Sequence, residues 1–495
     1  MKRSFLATCA LMGASAFFLT SATSCDLDGN DLGKYIGPDT IGGIVNGMAG
    51  CPNLEAQYQE ALNSEGELIS IDQLKQGMAD GTVGFSMAML LNKSGVNKLF
   101  AAATDFKYEI DASAAKVVLK LPTIQLDGCS KDQLLKLLED VQKDSAFYNS
   151  YYADQIRQNN EISCITMDLP VQVKSIISDT TYGVKVALPI YGKIKGDDPS
   201  NAEDYAKGLR TSIFADLKHA QLIDFAGIPQ VAIDIINFAW QQFVSNQFRN
   251  VSLFDIGAWD VGNGDIKLIA GAPIVKSDSK AIQLGVYSNV VYARNSTTAI
   301  DYAFPDNADV GLNIHPDLIR GLLARMMKEG HITSDTKLEN NDFKVTMTNI
   351  AKEYPENILL TYDWYNQNPQ NWGKYFSLAF RLWSNSSICG YVDLIAGLNA
   401  EITEKKFSIG VGNVHAGKSD GTMSLFAAGI NAITDSAFFH GILDYTTVSF
   451  NFNEIGVSTK KDDESGESLK NAEMGALKFT IDGNGISLFL NFLDL

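Results

Sequence analysis

From Cys164 to Lys195 apolar side chains fall at every second position, as in Val171 and Val173 and again in Val184, Val186 and Leu188. Successive side chains of a strand point to opposite faces, so this period predicts strands with one buried face. Strands are likewise expected over Ala114–Leu126, Ile266–Ala270, Ile282–Val291, much of 342–415, Phe479–Ile481 and Ile486–Phe492. Between them the spacing turns helical. Leu54, Tyr58, Ala61 and Leu62, resumed by Ile71, Leu74 and Met78, predict helix over 53–80. Val96, Leu99, Phe100 and Ala103 form an amphipathic run, and Leu134, Leu137, Leu138 and Val141 give one face of a helix over 130–158. Pro229 opens a helix carrying Val231, Ile235, Phe238, Ala239, Phe243 and Phe248, since proline is tolerated in a first turn. Later helices carry Leu318, Ile319, Leu322, Leu323, Met326 and Met327, then Leu425, Phe426, Ile430, Ile433 and Phe438 over 422–443. The expected class is α+β with antiparallel sheets packed on helices.

The order of elements repeats. Val83-Gly84-Phe85-Ser86-Met87 and Val310-Gly311-Leu312-Asn313-Ile314 share a Val-Gly-apolar-polar-apolar pattern. Each leads into a helix, several strands, a second helix and more strands. We therefore expect two pseudo-duplicated domains, 53–300 and 301–495. Turns are expected at Gly262-Asn263-Gly264-Asp265, with loops at 197–201 and at Asp462–Glu467. Hydrophobic residues make up 45% of the 495, enough for a substantial core.

The amino terminus reads as an export signal. Lys2 and Arg3 precede a charge-free apolar run from Ser4 to Thr20, shorter than the about 20 residues of a membrane span. Ser21-Ala22-Thr23-Ser24 supply small residues before Cys25. Together they resemble a bacterial lipobox, with Ala22 and Ser24 departing from its usual aliphatic residue and Gly or Ala. The resemblance implies cleavage after residue 24 and lipidation of Cys25 with diacylglycerol and an amide-linked acyl chain such as palmitate. Acyl chains gain about 0.8 kcal/mol per buried methylene, so two or three anchor stably. Asp26, Asp28 and Asp31 resemble the surface-export signal of Bacteroides-type lipoproteins, which implies an outer-membrane protein facing the cell surface. Residues 25–52, rich in Gly and Asp, form the tether. Asp26-Leu27-Asp28-Gly29-Asn30 begins like a calcium loop, but Asp31 holds the sixth position, where that loop needs Gly, and no Glu closes the twelfth.

The formal charge is −18; without residues 1–24 it is −20, from 38 Lys and Arg against 58 Asp and Glu. So acidic a chain is a poor partner for nucleic acid. With Cys25 acylated, Cys51, Cys129, Cys164 and Cys389 remain, too few for a disulfide-dense scaffold. Cys129 and Cys164 are the nearest pair in sequence, though spacing alone does not set connectivity.

The segment Val310-Gly311-Leu312-Asn313-Ile314-His315-Pro316-Asp317-Leu318-Ile319-Arg320-Gly321-Leu322-Leu323-Ala324-Arg325-Met326-Met327-Lys328-Glu329-Gly330-His331-Ile332 resembles the opening of the second domain in the bactericidal/permeability-increasing protein-like family, of the tubular lipid-binding superfamily. The match covers about 23 residues and holds no catalytic motif. It implies two long, curved antiparallel sheets, each wrapped around a helix, with an apolar tunnel that accepts acyl chains. Leu99, Phe100, Phe238 and Phe243 in the first half, and Leu322, Leu323, Met326 and Met327 in the second, are the candidate lining residues. Such stripes also serve as plain core. Methionine suits irregular apolar partners, which singles out Met326 and Met327. The family's basic lipopolysaccharide-binding tip has no counterpart in so acidic a chain.

Motifs for chemistry are weak. Gly417-Lys418-Ser419-Asp420-Gly421 matches G-x-S-x-G, with Asp435, Asp444 and His440 as conceivable partners, but a nucleophile elbow needs a parallel sheet. None of the five histidines has metal-ligand spacing, and Gly262-x-Gly264 lacks a dinucleotide setting. The sequence therefore calls for no cofactor, no metal and no catalysis. The expected function is non-enzymatic binding of a lipid or other apolar ligand. One alternative is glycan binding on the aromatics of 362–383, namely Tyr362, Trp364, Tyr365, Trp372, Tyr375, Phe376, Phe380 and Trp383. The other is a structural or adhesive surface protein. The anchor has a direct test: Cys25→Ala should abolish metabolic labelling by palmitate and move the protein from the membrane to the soluble fraction. A variant that stays labelled and membrane-bound rules out Cys25 as the attachment site.

Overall fold

A computed structural model describes residues 54–64, 66–85, 87–103, 108–112, 115–159, 161–175, 179–246, 251–261, 265–275, 281–291, 307–314, 316–329, 335–338, 341–348, 377–385, 389–403, 406–421, 423–424, 427, 447–451, 457–463, 466–482 and 485–494. The signal, Cys25 and the tether lie outside these residues. Among the described residues every strand pair is antiparallel, and the strands form three large sheets and one two-stranded ribbon.

The central sheet takes strands from both halves. Its order is β11 (Trp259–Val261), β12 (Ile266–Val275), β13 (Ala281–Ser288), β2 (Met87–Asn92), β15 (Val310–Ile314), β25 (Gly485–Asp494) and β24 (Glu473–Asp482). At its middle β2 and β15 pair with Leu91 opposite Val310, Met89 opposite Leu312 and Met87 opposite Ile314. Met87 through Leu91 are all buried, so β2 is covered on both faces. That is why the strand reads as a continuous apolar run rather than an alternation.

A curled sheet belongs mainly to each half. The larger runs β23 (Gly466–Asn471), β22 (Val457–Asp463), β10 (Val251–Gly257), β8 (Arg210–Ala215), β7 (Asp179–Lys195), β6 (Cys164–Ser175), β4 (Ala115–Leu119) and β3 (Tyr108–Ala112). β5 (Thr123–Gln125) adds to β6 and β9 (Gln221–Asp224) to β7. The smaller runs β16 (Asp335–Leu338), β17 (Asn341–Met347), β18 (Ser377–Asn385), β19 (Cys389–Ile402), β20 (Lys406–Gly421) and β21 (Thr447–Asn451). β22 and β23, late in the chain, extend the first-half sheet through β10. The ribbon joins β1 (Glu67–Leu68) to β14 (Val290–Val291). The protein is thus α+β with curled antiparallel sheets.

The helices follow local signals. α1 (Glu55–Ser64) and α2 (Ile71–Asp80) replace the single helix expected over 53–80. The break comes at Gly66, which has φ +78° and lies so close to the backbone of Ala324 and Arg325 that a Cβ would collide with it. Ser70 then starts α2 with a capping box, accepting from the Gln73 N–H while the Gln73 side chain accepts from its own N–H. α3 (Lys93–Ala103) follows β2 directly and packs on β22, β10 and β5. The helix expected over 130–158 is three: α4 (Lys131–Lys143), with a Ser130/Gln133 capping box, α5 (Ser145–Tyr151) and α6 (Ala153–Asn159). α7 (Ala202–Ala206) is one short turn. α8 (Gln230–Asn246) lies on β3, β4 and β6, and α9 (Pro316–Lys328) follows β15 and lies on β17 and β18. Only 423–424 and 427 of the helix expected over 422–443 are described, and they are helical.

A buried strand running straight into a helix occurs twice, as β2 with α3 and β15 with α9, and the Val-Gly segments do not both fall on these strands. The partner of Val310–Ile314 is Met87–Asn92, not Val83–Met87. Val83, Gly84 and Phe85 precede the strand, and Phe85 packs edge-on against Tyr287 at 5.6 Å. The shared Val-Gly is incidental; what repeats is a buried apolar strand running straight into a helix. The loop expected at Asp462–Glu467 is a hairpin end, with Asp462 opposite Glu467 and Asp463 opposite Gly466.

One core cluster unites Leu99 of α3, Val171 of β6, Trp240 of α8, Leu312 of β15, Met327 of α9 and Leu490 of β25. Each fully buried side chain of this size contributes about 1.5–3 kcal/mol. Cys129 and Cys164 form a disulfide with Cα atoms 5.7 Å apart, tying the start of α4 to β6. Cys389 is disulfide-bonded as well, and Cys51 lies outside the described residues.

The two strand-helix units are also fastened by polar groups. Asp309 is fully buried; its Oδ2 accepts from Lys98 Nζ at 2.6 Å and from the Phe492 N–H at 2.9 Å. The Asn92 N–H donates to the Asp309 carbonyl at 3.1 Å, and a Cβ on Gly95 would collide with that carbonyl. Asp309→Ala should cost about 2–4 kcal/mol, because a buried N–H loses its charged acceptor. Lys98→Met should cost about 3 kcal/mol, because it leaves the buried Asp309 carboxylate without its counter-charge. Urea unfolding checks both; a cost of about 1 kcal/mol or less for Lys98→Met would show that the buried N–H alone carries the joint.

Candidate functional site

The second strand-helix unit leaves a void. Ala324 and Met327 on α9 face Thr346 and Met347 on β17, and half-buried Ala61 and Leu62 of α1 border the space, which measures about 10 Å³ and is partly open. Thr346 is the one polar residue in the lining, and its hydroxyl accepts from Trp383 Nε1 at 2.9 Å. A void of this size has room for about one water-sized sphere. The thioethers of Met327 and Met347 are adaptable walls. Leu318, Ala324 and Met327 are all buried along α9. Ala324 and Met327, three residues apart, are neighbours on the helix surface.

α1 lies over this slot as a single layer. Leu54 and Tyr58 are buried against Trp383, with the Tyr58 and Trp383 rings edge-on at 6.2 Å. On the other side Ala56, Gln57, Gln59 and Glu60 face solvent. Lys344 Nζ sits 4.6 Å above the Tyr58 ring and 3.0 Å from a Glu55 carboxylate oxygen. Gln59 and Lys344 together hold the Glu55 carboxyl below the usual range. Just beyond α1, Gly66 rests on the α9 backbone, its N–H donates to the Val291 carbonyl, and Glu67 pairs with Lys328 at 2.9 Å. Lys328 likewise lowers the Glu67 carboxyl.

The eight candidate lining residues are scattered over the fold. Met327 borders the void, and Leu322 of the same helix is half-buried against the core. Leu323 and Met326 lie on α9, and Phe243 on α8, with side chains outside the described set. Leu99 and Phe100 are buried in the main core. Phe238 is 45% exposed on the outer face of α8, one side of which, with Ala232, Ile236, Ala239 and Trp240, is buried. Val231, two turns earlier, is 72% exposed. α8 is therefore apolar on both faces at its first two turns. Residues that sequence reasoning missed as lining are Ala61, Leu62, Thr346 and Met347. Ala61 and Leu62 carried a helical signal, but nothing in their spacing placed them over α9.

Other motifs fall differently. Trp383 is 4% exposed between Tyr58 and Tyr391, so it is core and not one of a flat exposed row; Trp364 and Trp372 lie outside the described residues. Arg381 pairs with buried Asp393 through two hydrogen bonds and stacks 4.1 Å from the Tyr391 ring. Ser419 stands on β20 opposite Val392 of β19, within an antiparallel ladder rather than at a strand-to-helix turn. Asp435, His440 and Asp444 are outside the described residues. A buried polar triad lies under α5 and α6: Tyr152 donates to Asp216 Oδ2 at 3.1 Å, and His219 Nδ1 lies 2.7 Å from the same oxygen. Burial, then the Asp216 charge, pushes the Tyr152 hydroxyl well above its ordinary value. Phe147, Tyr151, Tyr191 and Phe214 surround the triad, which holds these helices on β7 and β8.

No family model matches the sequence, and no curated protein matches it. Solved structures similar in outline include P47 of Clostridium botulinum E1, with a TM-score of 0.32 and 11% identity over 83% of this chain and 99% of that one. A lipopolysaccharide binding protein is similar with a TM-score of 0.23 and 9% identity, over 83% of this chain and 100% of that one.

Proposed function

We propose that the protein is a lipoprotein, anchored in the outer membrane through Cys25 and facing the cell surface, that binds a lipid or other apolar ligand without chemical conversion. The observation that carries the ligand is the void between α9 and β17, lined by Ala61, Leu62, Ala324, Met327 and Met347 with one hydroxyl, itself engaged by Trp383. Two adaptable thioethers among mostly apolar side chains favour hydrocarbon over sugar or ion. The exposed Val231 and Phe238 on α8 add a second apolar surface. The address rests on Lys2, Arg3, the uncharged run to Thr20 and the small residues before Cys25. Burial of Trp383 weighs against an aromatic platform for glycans.

Native mass spectrometry on the mature chain with Cys25→Ala, with extraction of whatever co-purifies, tests the reading. Acyl lipid bound in a defined stoichiometry is expected, together with uptake of a fluorescent fatty acid by delipidated protein. Met327→Trp should reduce that uptake at least fivefold and, as an overpacked core substitution, cost about 1–3 kcal/mol of stability, so uptake is compared under conditions where both proteins are folded. A clean apoprotein that also ignores the fluorescent fatty acid overturns the proposal.

A further inference from the structure

We propose that Cys51 and Cys389 form a disulfide that clasps the N-terminal segment to β19, leaving residues 26–50 as the free tether between the anchor and the folded body. The inference rests on the anchor reading above, because acylation takes the Cys25 sulfur out of thiol chemistry.

Two independent observations converge on this pair. First, Cys389 is disulfide-bonded, and Cys129 and Cys164 take each other. The chain has six cysteines, so the partner of Cys389 within the chain is Cys9, Cys25 or Cys51. Cys9 leaves with the signal and Cys25 carries the acyl chains, which leaves Cys51. Second, the N-terminal segment arrives where Cys389 stands. Leu54 and Tyr58 are buried against Trp383, and Tyr391 packs on the same cluster. Along β18 and β19, Trp383 lies opposite Tyr391, and Asn385 opposite Cys389. Cys389 and Tyr391 are two residues apart on one strand, so their side chains leave the same face of the sheet. About 7 Å separates them along the strand. Cys51 precedes Leu54 by three residues, a stretch that spans up to about 10 Å. A disulfide needs Cα atoms about 4.4–6.8 Å apart, and that reach allows it.

Export supplies an oxidising compartment for the bond. The Cys51 thiolate attacks the disulfide of an exported thiol oxidoreductase and displaces one of its sulfurs. The Cys389 thiolate then attacks the Cys51 sulfur of the mixed disulfide and displaces the other. The two thiols of this chain lose two protons and two electrons, and the oxidant takes them up as a dithiol. The bond changes where the anchor pulls. β19 is paired along its length with β18 and β20, so tension on the tether enters a sheet before it reaches α1. α1 follows the clasp in the chain and keeps its seat beside Met327 and Met347 as the tether moves. The 25 residues 26–50 are rich in Gly, and a flexible stretch of that length spans about 25–30 Å. The body then hangs from the β18–β19 turn within that distance of the bilayer.

The test is peptide mapping of the full chain, purified from bacterial membranes, alkylated in denaturant without reductant and cut with trypsin. Lys34 lies between Cys25 and Cys51, so residues 35–75 carry Cys51 alone, and residues 382–405 carry Cys389 alone. The expected result is these two peptides joined and separable by reductant, with Cys129 and Cys164 joined in the same digest. In Cys51→Ser the joined peptide should be lost and Cys389 should take up one alkyl group, while Cys129 and Cys164 stay joined. The acylated peptide 25–34 should be present in both proteins. Alkylated Cys389 in the wild type, with Cys129 and Cys164 joined, overturns the clasp and leaves the anchor standing. Cys389 joined to Cys25 overturns the clasp and the anchor together.

Discussion

Met89 sits opposite Leu312 where β2 and β15 run antiparallel, and the relation between the two halves of the molecule turns on that pairing. Each strand passes directly into a helix, β2 into α3 and β15 into α9. Antiparallel neighbours point in opposite directions, so the helices leave the central sheet at opposite ends. Each then meets its own curled sheet: α3 reaches β22 and β10, and α9 reaches β17 and β18. The strands on either side, β13 and β25, close the arrangement by pairing with β2 and β15. Because β2 is buried on both faces, its register is held by packing on either side rather than by an apolar-polar alternation.

Much of this was legible in the sequence. Period-two runs located β6, β7, β12, β13 and β25, and helical spacing located α3, α8 and α9, because half-buried elements write their exposure into their residue order. The failures have physical causes. Ile71, Leu74 and Met78 resume helical spacing after Leu62, so spacing alone joined α1 and α2; the break falls at Gly66, which has φ +78° and rests on the α9 backbone some 260 residues away in the chain. The repeat was misaligned because β2 is buried on both faces and carries no alternation to anchor it. Val83-Gly84 offered a match in letters without a match in structure.

The candidate site was less legible than the fold. Met327 could be named because it lies on a strongly amphipathic helix with a neighbouring methionine. Nothing local marks Met347 at the end of β17 or Ala61 and Leu62 on α1 as parts of the same wall. Their meeting depends on where the sheet curls and where the N-terminal segment is laid down. Leu99 and Phe100 show the converse: the same kind of stripe, on the pseudo-equivalent helix, is filled by β22, β10 and β5 and becomes core. The two strand-helix units are alike in plan, but their surroundings decide which of them keeps a space.

Scarce cations mark the joints. In a chain of formal charge −18, Lys98 reaches Asp309 across 211 residues, Lys328 reaches Glu67 across 261, and Lys344 reaches Glu55 across 289. These pairs are not equivalent. Asp309 is buried and also receives a backbone N–H, so opening that joint leaves a donor without its charged acceptor inside the protein. The Glu55 and Glu67 side chains are 45% and 62% exposed, whereas the Lys328 side chain is 11% exposed, so only the carboxylate of that pair meets water freely. The joint between the halves and the joint between α1, β1 and α9 thus use the same chemistry at two depths, and the deeper carboxylate is the one that cannot be released without leaving a polar group buried alone.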